Sequence, residues 1–117
     1  MRLKGIGFVL SLVLTGCAGE YDVGISFVDA NTKRAAERVQ VAIVTDCSQQ
    51  SLGEAPIGTV RSVEFRTDET SPALGEVEPG SYGLYARASD ADCNVIAAGC
   101  TPITLAAGSE AALTVQL

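Results

Sequence analysis

Apolar residues recur at every second position in one stretch of this chain after another. Tyr21, Val23, Ile25 and Phe27 alternate with Asp22, Gly24 and Ser26. Val39, Val41 and Ile43 repeat the pattern, then Val63 with Phe65, then Tyr82, Leu84, Ala86 and Ala88, and last Ala111, Leu113, Val115 and Leu117. A period of two belongs to strands with one buried face. No window of useful length has a helical period, and Lys33 to Arg38 supports one helical turn at most. Turn residues punctuate the strands at Asp29–Thr32, Asp68–Pro72, Glu78-Pro79-Gly80, Asp90–Asp92 and Ala107–Ser109, with a longer polar loop over Cys47–Pro56. Two short strands, Val95-Ile96 and Pro102 to Leu105, are predicted between the last two turns. About seven short strands at this spacing predict an all-β chain: a single seven-stranded antiparallel β-sandwich, one face of each strand inward.

The first twenty residues are of another kind. Arg2 and Lys4 precede an apolar or small run from Gly5 to Leu14, which closes on Thr15, Gly16 and Cys17. This is the layout of a secretory signal, and the run is about half the ~20 residues a bilayer-spanning helix needs. Leu14-Thr15-Gly16-Cys17 resembles the lipobox of a bacterial lipoprotein signal peptide. That resemblance implies cleavage before Cys17, diacylation of its sulfur (palmitate among the chains) and acylation of the freed amine. Acyl chains contribute about 0.8 kcal/mol per buried methylene, so two or three make the anchor effectively permanent. Ala18, rather than Asp, after the cysteine leans toward the outer membrane. The expected organisation is a signal peptide over 1–16, a lipidated tether over 17–20 and the β-domain over 21–117.

Removal of the leader takes Arg2 and Lys4 and leaves six basic residues against 14 acidic ones, a formal charge of −8. Such a surface repels phosphates and anionic headgroups. It argues against nucleic acid as a partner and assigns membrane attachment to the lipid. The chain has no His. Serine and cysteine nucleophiles therefore lack their usual base, and no G-x-S-x-G elbow, P-loop or G-x-G-x-x-G fingerprint occurs. The acidic pairs Asp68-Glu69 and Glu76/Glu78 flank turns, where exposed acids are commonplace. No enzyme and no cofactor are expected.

Export places Cys47, Cys93 and Cys100 where disulfides persist. With Cys17 acylated, three thiols allow three pairings. Cys93–Cys100 closes a short loop, worth about 2.5 kcal/mol of chain entropy, and is favoured. Cys47–Cys93, joining the ends of two equivalent strands, closes a longer one worth about 4 kcal/mol and is the alternative.

The stretch from Glu76 to Leu117 resembles the C-terminal half of carboxypeptidase-regulatory-like and transthyretin-like sandwich domains, through the Pro79-Gly80-Ser81-Tyr82 turn that opens a strand and the Ala107-Gly108 turn before the last one. It is also similar to small lipoproteins of predatory soil bacteria. The resemblance implies an immunoglobulin- or prealbumin-like sandwich with a non-catalytic accessory or recognition role, and it carries over no binding residues.

Two candidate sites remain. Asp90, Asp92 and Asn94 follow the D-x-D-x-N start of a calcium loop, but Val95 and Thr101 stand where such a loop needs Gly and Glu; a polar hairpin tip is the better reading. Tyr85 falls on the outward side of its strand, where an exposed aromatic could anchor a partner. The function expected is that of a lipid-anchored envelope protein acting as a binding or structural module for protein or glycan. The alternative is a subunit of an envelope or surface assembly that docks by strand-edge pairing.

Overall fold

The computed structural model describes residues 19–70, 72–106 and 111–117. The leader, Cys17 and the Ala107–Ser109 turn lie outside them. Seven strands are present among the described residues: β1 (Gly19–Ser26), β2 (Arg38–Val44), β3 (Thr59–Arg66), β4 (Glu76–Val77), β5 (Gly80–Ser89), β6 (Val95–Leu105) and β7 (Ala111–Gln116). They form a four-stranded antiparallel sheet in the order β3-β2-β5-β6 and a three-stranded sheet in the order β4-β1-β7. The all-antiparallel expectation is corrected at one place. β1 and β7 run parallel, from Tyr21 opposite Ala111 to Ser26 opposite Gln116, because the last strand returns beside the first in the same direction.

The alternation places the core as the sequence predicts. Tyr21 and Val23 of β1, Val39, Val41 and Ile43 of β2, Leu84, Ala86 and Ala88 of β5, and Val115 of β7 are buried in one cluster between the sheets. Each fully buried Val, Leu or Ile contributes roughly 1.5–3 kcal/mol. At Gly99 the two sheets approach closely on the β6 side. A Cβ there would lie 2.5 Å from the Gln116 carbonyl oxygen of β7.

Two local expectations are corrected. A helix, α1 (Ala30–Ala35), replaces the predicted Asp29–Thr32 turn and the separate turn of helix after it. Asp29 is its N-cap, its carboxylate accepting from the Asn31 amide at 2.9 Å. Ala36 is extended and buried, and ends it. The two strands predicted around Cys100 are one. β6 continues unbroken because β5 offers it a ladder of ten paired positions.

Candidate functional site

The outer side of the four-stranded sheet carries the features that distinguish this domain. Pairing aligns outward residues in rows across it. One row holds Ser62, Ala42, Tyr85 and Cys100, the next Glu64, Gln40, Arg87 and Ala98, and the last Arg66, Arg38, Ser89 and Val95. An apolar half and a polar half therefore lie side by side.

The loop over 46–58 folds back and covers the apolar half. Its beginning is a short 3₁₀ turn, Cys47–Gln49, capped by the Asp46 carboxylate, which accepts from the Ser48 amide at 2.9 Å. That bond and a further one from the Ser48 side chain hold the Asp46 carboxyl below its ordinary pKa. Gln50 closes the loop on itself. Its Nε2 donates to the Ile57 carbonyl, and its Oε1 accepts from the Ile57 amide, both at 2.8 Å. Under the loop, Ala42, Val44 and Tyr85 form a second, smaller buried cluster with Cys100 beside it.

Tyr85 is thus fully buried, which corrects its reading as an exposed anchor. Alternation correctly turned its ring away from the main core, but the loop removes that face from solvent. The phenol accepts from the Gly53 amide at 3.0 Å and donates to the Glu54 carbonyl at 2.7 Å. Gly53 adopts φ +91°, a left-handed conformation that glycine takes without strain. Arg87 fixes the same turn from the other side: its Nη1 donates to the Gly53 carbonyl at 3.2 Å and its Nε to Gln40 Oε1 at 2.8 Å.

A disulfide pins the loop, and its pairing is a correction. Cys47 is joined to Cys100, with the Cα atoms 5.7 Å apart, and Cys93 is free and exposed. Neither Cys93–Cys100 nor Cys47–Cys93 forms. Cys93 sits in the β5–β6 hairpin turn, whereas Cys100 lies five residues beyond Val95 along an extended strand. At about 3.3 Å per residue that separation far exceeds the ~7 Å a disulfide spans. Cys47 instead leaves the end of β2 and crosses β5 at Gly83, where a Cβ would lie 2.6 Å from the Cys47 sulfur.

The calcium candidates form a hairpin tip. Asp90 Oδ1 accepts from the Asp92 amide at 3.0 Å and the Asn94 amide at 2.9 Å, so its carboxylate is turned onto the backbone. Cys93 completes the tip at φ +67°. Among the described residues no group of three or more His, Cys, Asp or Glu side chains is placed to hold a metal.

The polar half of the face stays open. A groove of about 200 Å³ runs along it, lined by Arg38, Gln40, Glu64, Arg87, Ser89, Cys93 and Val95. A second cleft, of about 250 Å³, opens between the sheets, lined by Ile25, Phe27, Lys33, Val39, Phe65 and Thr67. The groove residues were not legible as a site in the sequence. Arg38 and Arg87 are remote along the chain, and only the β2–β5 register brings them to adjacent rows.

The chain matches no protein-family model, and neither a curated protein nor a solved structure matches it. Function therefore has to be argued from the residues and their arrangement.

Proposed function

We propose that the protein is a lipid-anchored envelope module, tethered through Cys17, that recognises a partner without catalysing a reaction. The observation that carries this reading is the leader: a short basic start, an apolar run and Leu14-Thr15-Gly16-Cys17. The domain behind it is consistent with a sandwich of immunoglobulin or prealbumin type, with two sheets about one core and the final strand beside the first. An outer-membrane address and a protein or glycan partner are part of the proposal.

The geometry supports a recognition role in one further respect. β1 begins at Gly19, two residues after Cys17, and its far end connects through α1 to the start of β2. Arg38, the end of β5 and the Asp90–Asn94 hairpin all belong to that far end. Eight residues of strand, at about 3.3 Å each, separate it from the tether. A chain held by Cys17 would present the open groove away from the lipid.

Mass spectrometry of the membrane-extracted protein tests the anchor. The expected N-terminus is an acylated Cys17, and Cys17→Ser should leave the protein unacylated and released from membranes. Recovery of wild-type chain with the leader attached, or with an unmodified Cys17, refutes the reading.

Docking by strand-edge pairing is favoured by a separate observation. β4 pairs only with Gly19 and Glu20 of β1, and the Leu74 amide donates to the Tyr21 carbonyl at 3.0 Å; beyond Tyr21, that edge of β1 has no strand beside it among the described residues. Size-exclusion chromatography with light scattering tests this: self-association that rises with concentration is expected of a polymerising subunit, and a monomer throughout counts against it.

A further inference from the structure

The six basic residues that follow the leader are Lys33, Arg34, Arg38, Arg61, Arg66 and Arg87. Three of them stand on the outer face of the four-stranded sheet, in two adjacent rows at the end remote from Gly19. In a chain with 14 acidic residues, that is where cationic charge is concentrated. The three arginines are not equivalent. Arg66 is neutralised, its Nη2 lying 3.5 Å from Glu37 and its Nε 3.4 Å from Asp68. Arg38 and Arg87 have no ion-pair partner among the described residues, and both line the groove.

Arg87 is held ready. Its Nε and Nη1 are occupied by Gln40 and Gly53, which fixes the guanidinium plane and leaves the Nη2 donors for another group. A guanidinium oriented in advance can donate Nη2 to a carboxylate oxygen in a charge-assisted hydrogen bond. Arg38 stands one row away on the neighbouring strand and is exposed, so its charge can reach the same ligand. Glu64, on the groove's other side, selects among anions. It is not ion-paired to either arginine, so it leaves them available, and it repels a doubly charged phosphate more than a carboxylate. Val95 adds apolar surface to the groove's lining, and Leu52 is a second exposed apolar residue in the adjoining loop. Val95 is 40% and Leu52 62% exposed, and Gly53, next to Leu52, packs near Val95.

We propose that Arg38 and Arg87 form a receptor for a carboxylate carried by a partner protein, on an acidic peptide segment with an apolar residue beside the acid. The groove's volume suits one side chain, and the flanking Val95 and Leu52 extend the footprint as a neighbouring peptide residue requires. This rests on the reading of the protein as a non-catalytic recognition module but not on its lipid. An unacylated Cys17 with peptide binding intact would refute the anchor alone, and an acylated Cys17 with no peptide binding would refute the receptor alone.

The test uses the purified full-length protein in detergent, labelled with ¹⁵N, and follows the Arg38 and Arg87 Nε–H signals. The probes are a capped hexapeptide with one glutamate beside one leucine, its glutamine analogue, and inorganic phosphate. Saturable shifts with the glutamate peptide, absent with the analogue, are expected. Arg38→Gln should weaken binding about tenfold, as the loss of a charged hydrogen-bond donor does. Glu64→Gln, which removes the competing carboxylate, should tighten it about twofold; a gain cannot come from misfolding. Equal response to the two peptides, no saturation below about 10 mM, or binding unchanged in both variants overturns the site. Saturation by phosphate at lower concentration than by the peptide overturns its assignment to a carboxylate.

Discussion

Removing the disulfide should cost this domain a large share of its stability, whereas removing the third thiol should cost almost nothing. Cys47 and Cys100 are 53 residues apart in sequence. In the chain-entropy model a cross-link over that span restricts the unfolded ensemble by about 4 kcal/mol at 25 °C. Domains of this size have roughly 5–15 kcal/mol in total, so the bridge decides whether the fold is robust or marginal. The clean perturbation is the double variant Cys47→Ser/Cys100→Ser, which leaves no half-bridge to mispair, compared with Cys93→Ser. In urea, with m near 1 kcal/mol/M, the double variant should lose about 4 M in midpoint. Its melting temperature should fall by about 15–30 °C. Cys93→Ser should unfold with the wild type, because Cys93 is exposed and unbonded. Non-reducing peptide mapping gives an independent readout: one bridge joining Cys47 to Cys100. A Cys93→Ser variant as unstable as the double variant, or a mapped bridge containing Cys93, would refute the reasoning.

Three further outcomes follow from the same face and its surroundings. Tyr85→Phe keeps the ring but deprives the Gly53 amide of its acceptor and the Glu54 carbonyl of its donor, and should destabilise by about 1–2 kcal/mol in a urea melt; no change would mean the loop does not depend on the phenol. Gly99→Ala places a methyl against the Gln116 carbonyl, 2.5 Å from the ideal Cβ position, and should lower stability by about 1–3 kcal/mol through displacement of β7 from β6. The Asp46 carboxyl, held down by the Ser48 amide and then by the Ser48 side chain, has a folded pKa below its unfolded one. Its contribution is therefore present above the unfolded pKa and lost as pH falls through the folded pKa; a ¹³C titration should place it below an ordinary aspartate, and Asp46→Asn should remove that part of the acid dependence.

The main core was legible because alternation encodes it directly. Tyr21, Val23, Val39, Val41, Ile43, Leu84, Ala86 and Ala88 point inward at the positions a period of two assigns. What alternation cannot encode is whether the opposite face of a strand meets water. Ala42, Val44 and Tyr85 are as buried as the core, yet their cover comes from residues 46–58, a stretch that reads as an ordinary polar loop. Its order depends on three non-local ties, the bridge to Cys100, the phenol of Tyr85 and the guanidinium of Arg87, and none of these partners is identifiable without the strand register. The parallel β1–β7 pair was missed for a related reason: strand order is not written in the strands. Only Asp29 carried a local signal that went unread, since an aspartate before Ala30 fits an N-cap as well as a turn.

The disulfide error and the groove have one physical origin. Sequence proximity favours pairing Cys93 with Cys100, but β6 is extended, and each residue after the hairpin carries the chain farther from its tip. The same geometry that parts those cysteines carries Cys100 toward the end of β2, where Cys47 emerges, and Gly83 on β5 leaves room for the sulfur to pass. Fixing the loop there covers the apolar rows and stops at Gly53, which Arg87 holds by its carbonyl. Beyond Gly53 the loop meets the last row only near Val95, and Arg38 and Ser89 of that row line the open groove. The bridge, the Tyr85 phenol and Arg87 together hold the loop over the apolar side of the face. Cutting the bridge should alter the environment of Arg87, tied to the loop at Gly53, more than that of Arg38 on the neighbouring strand.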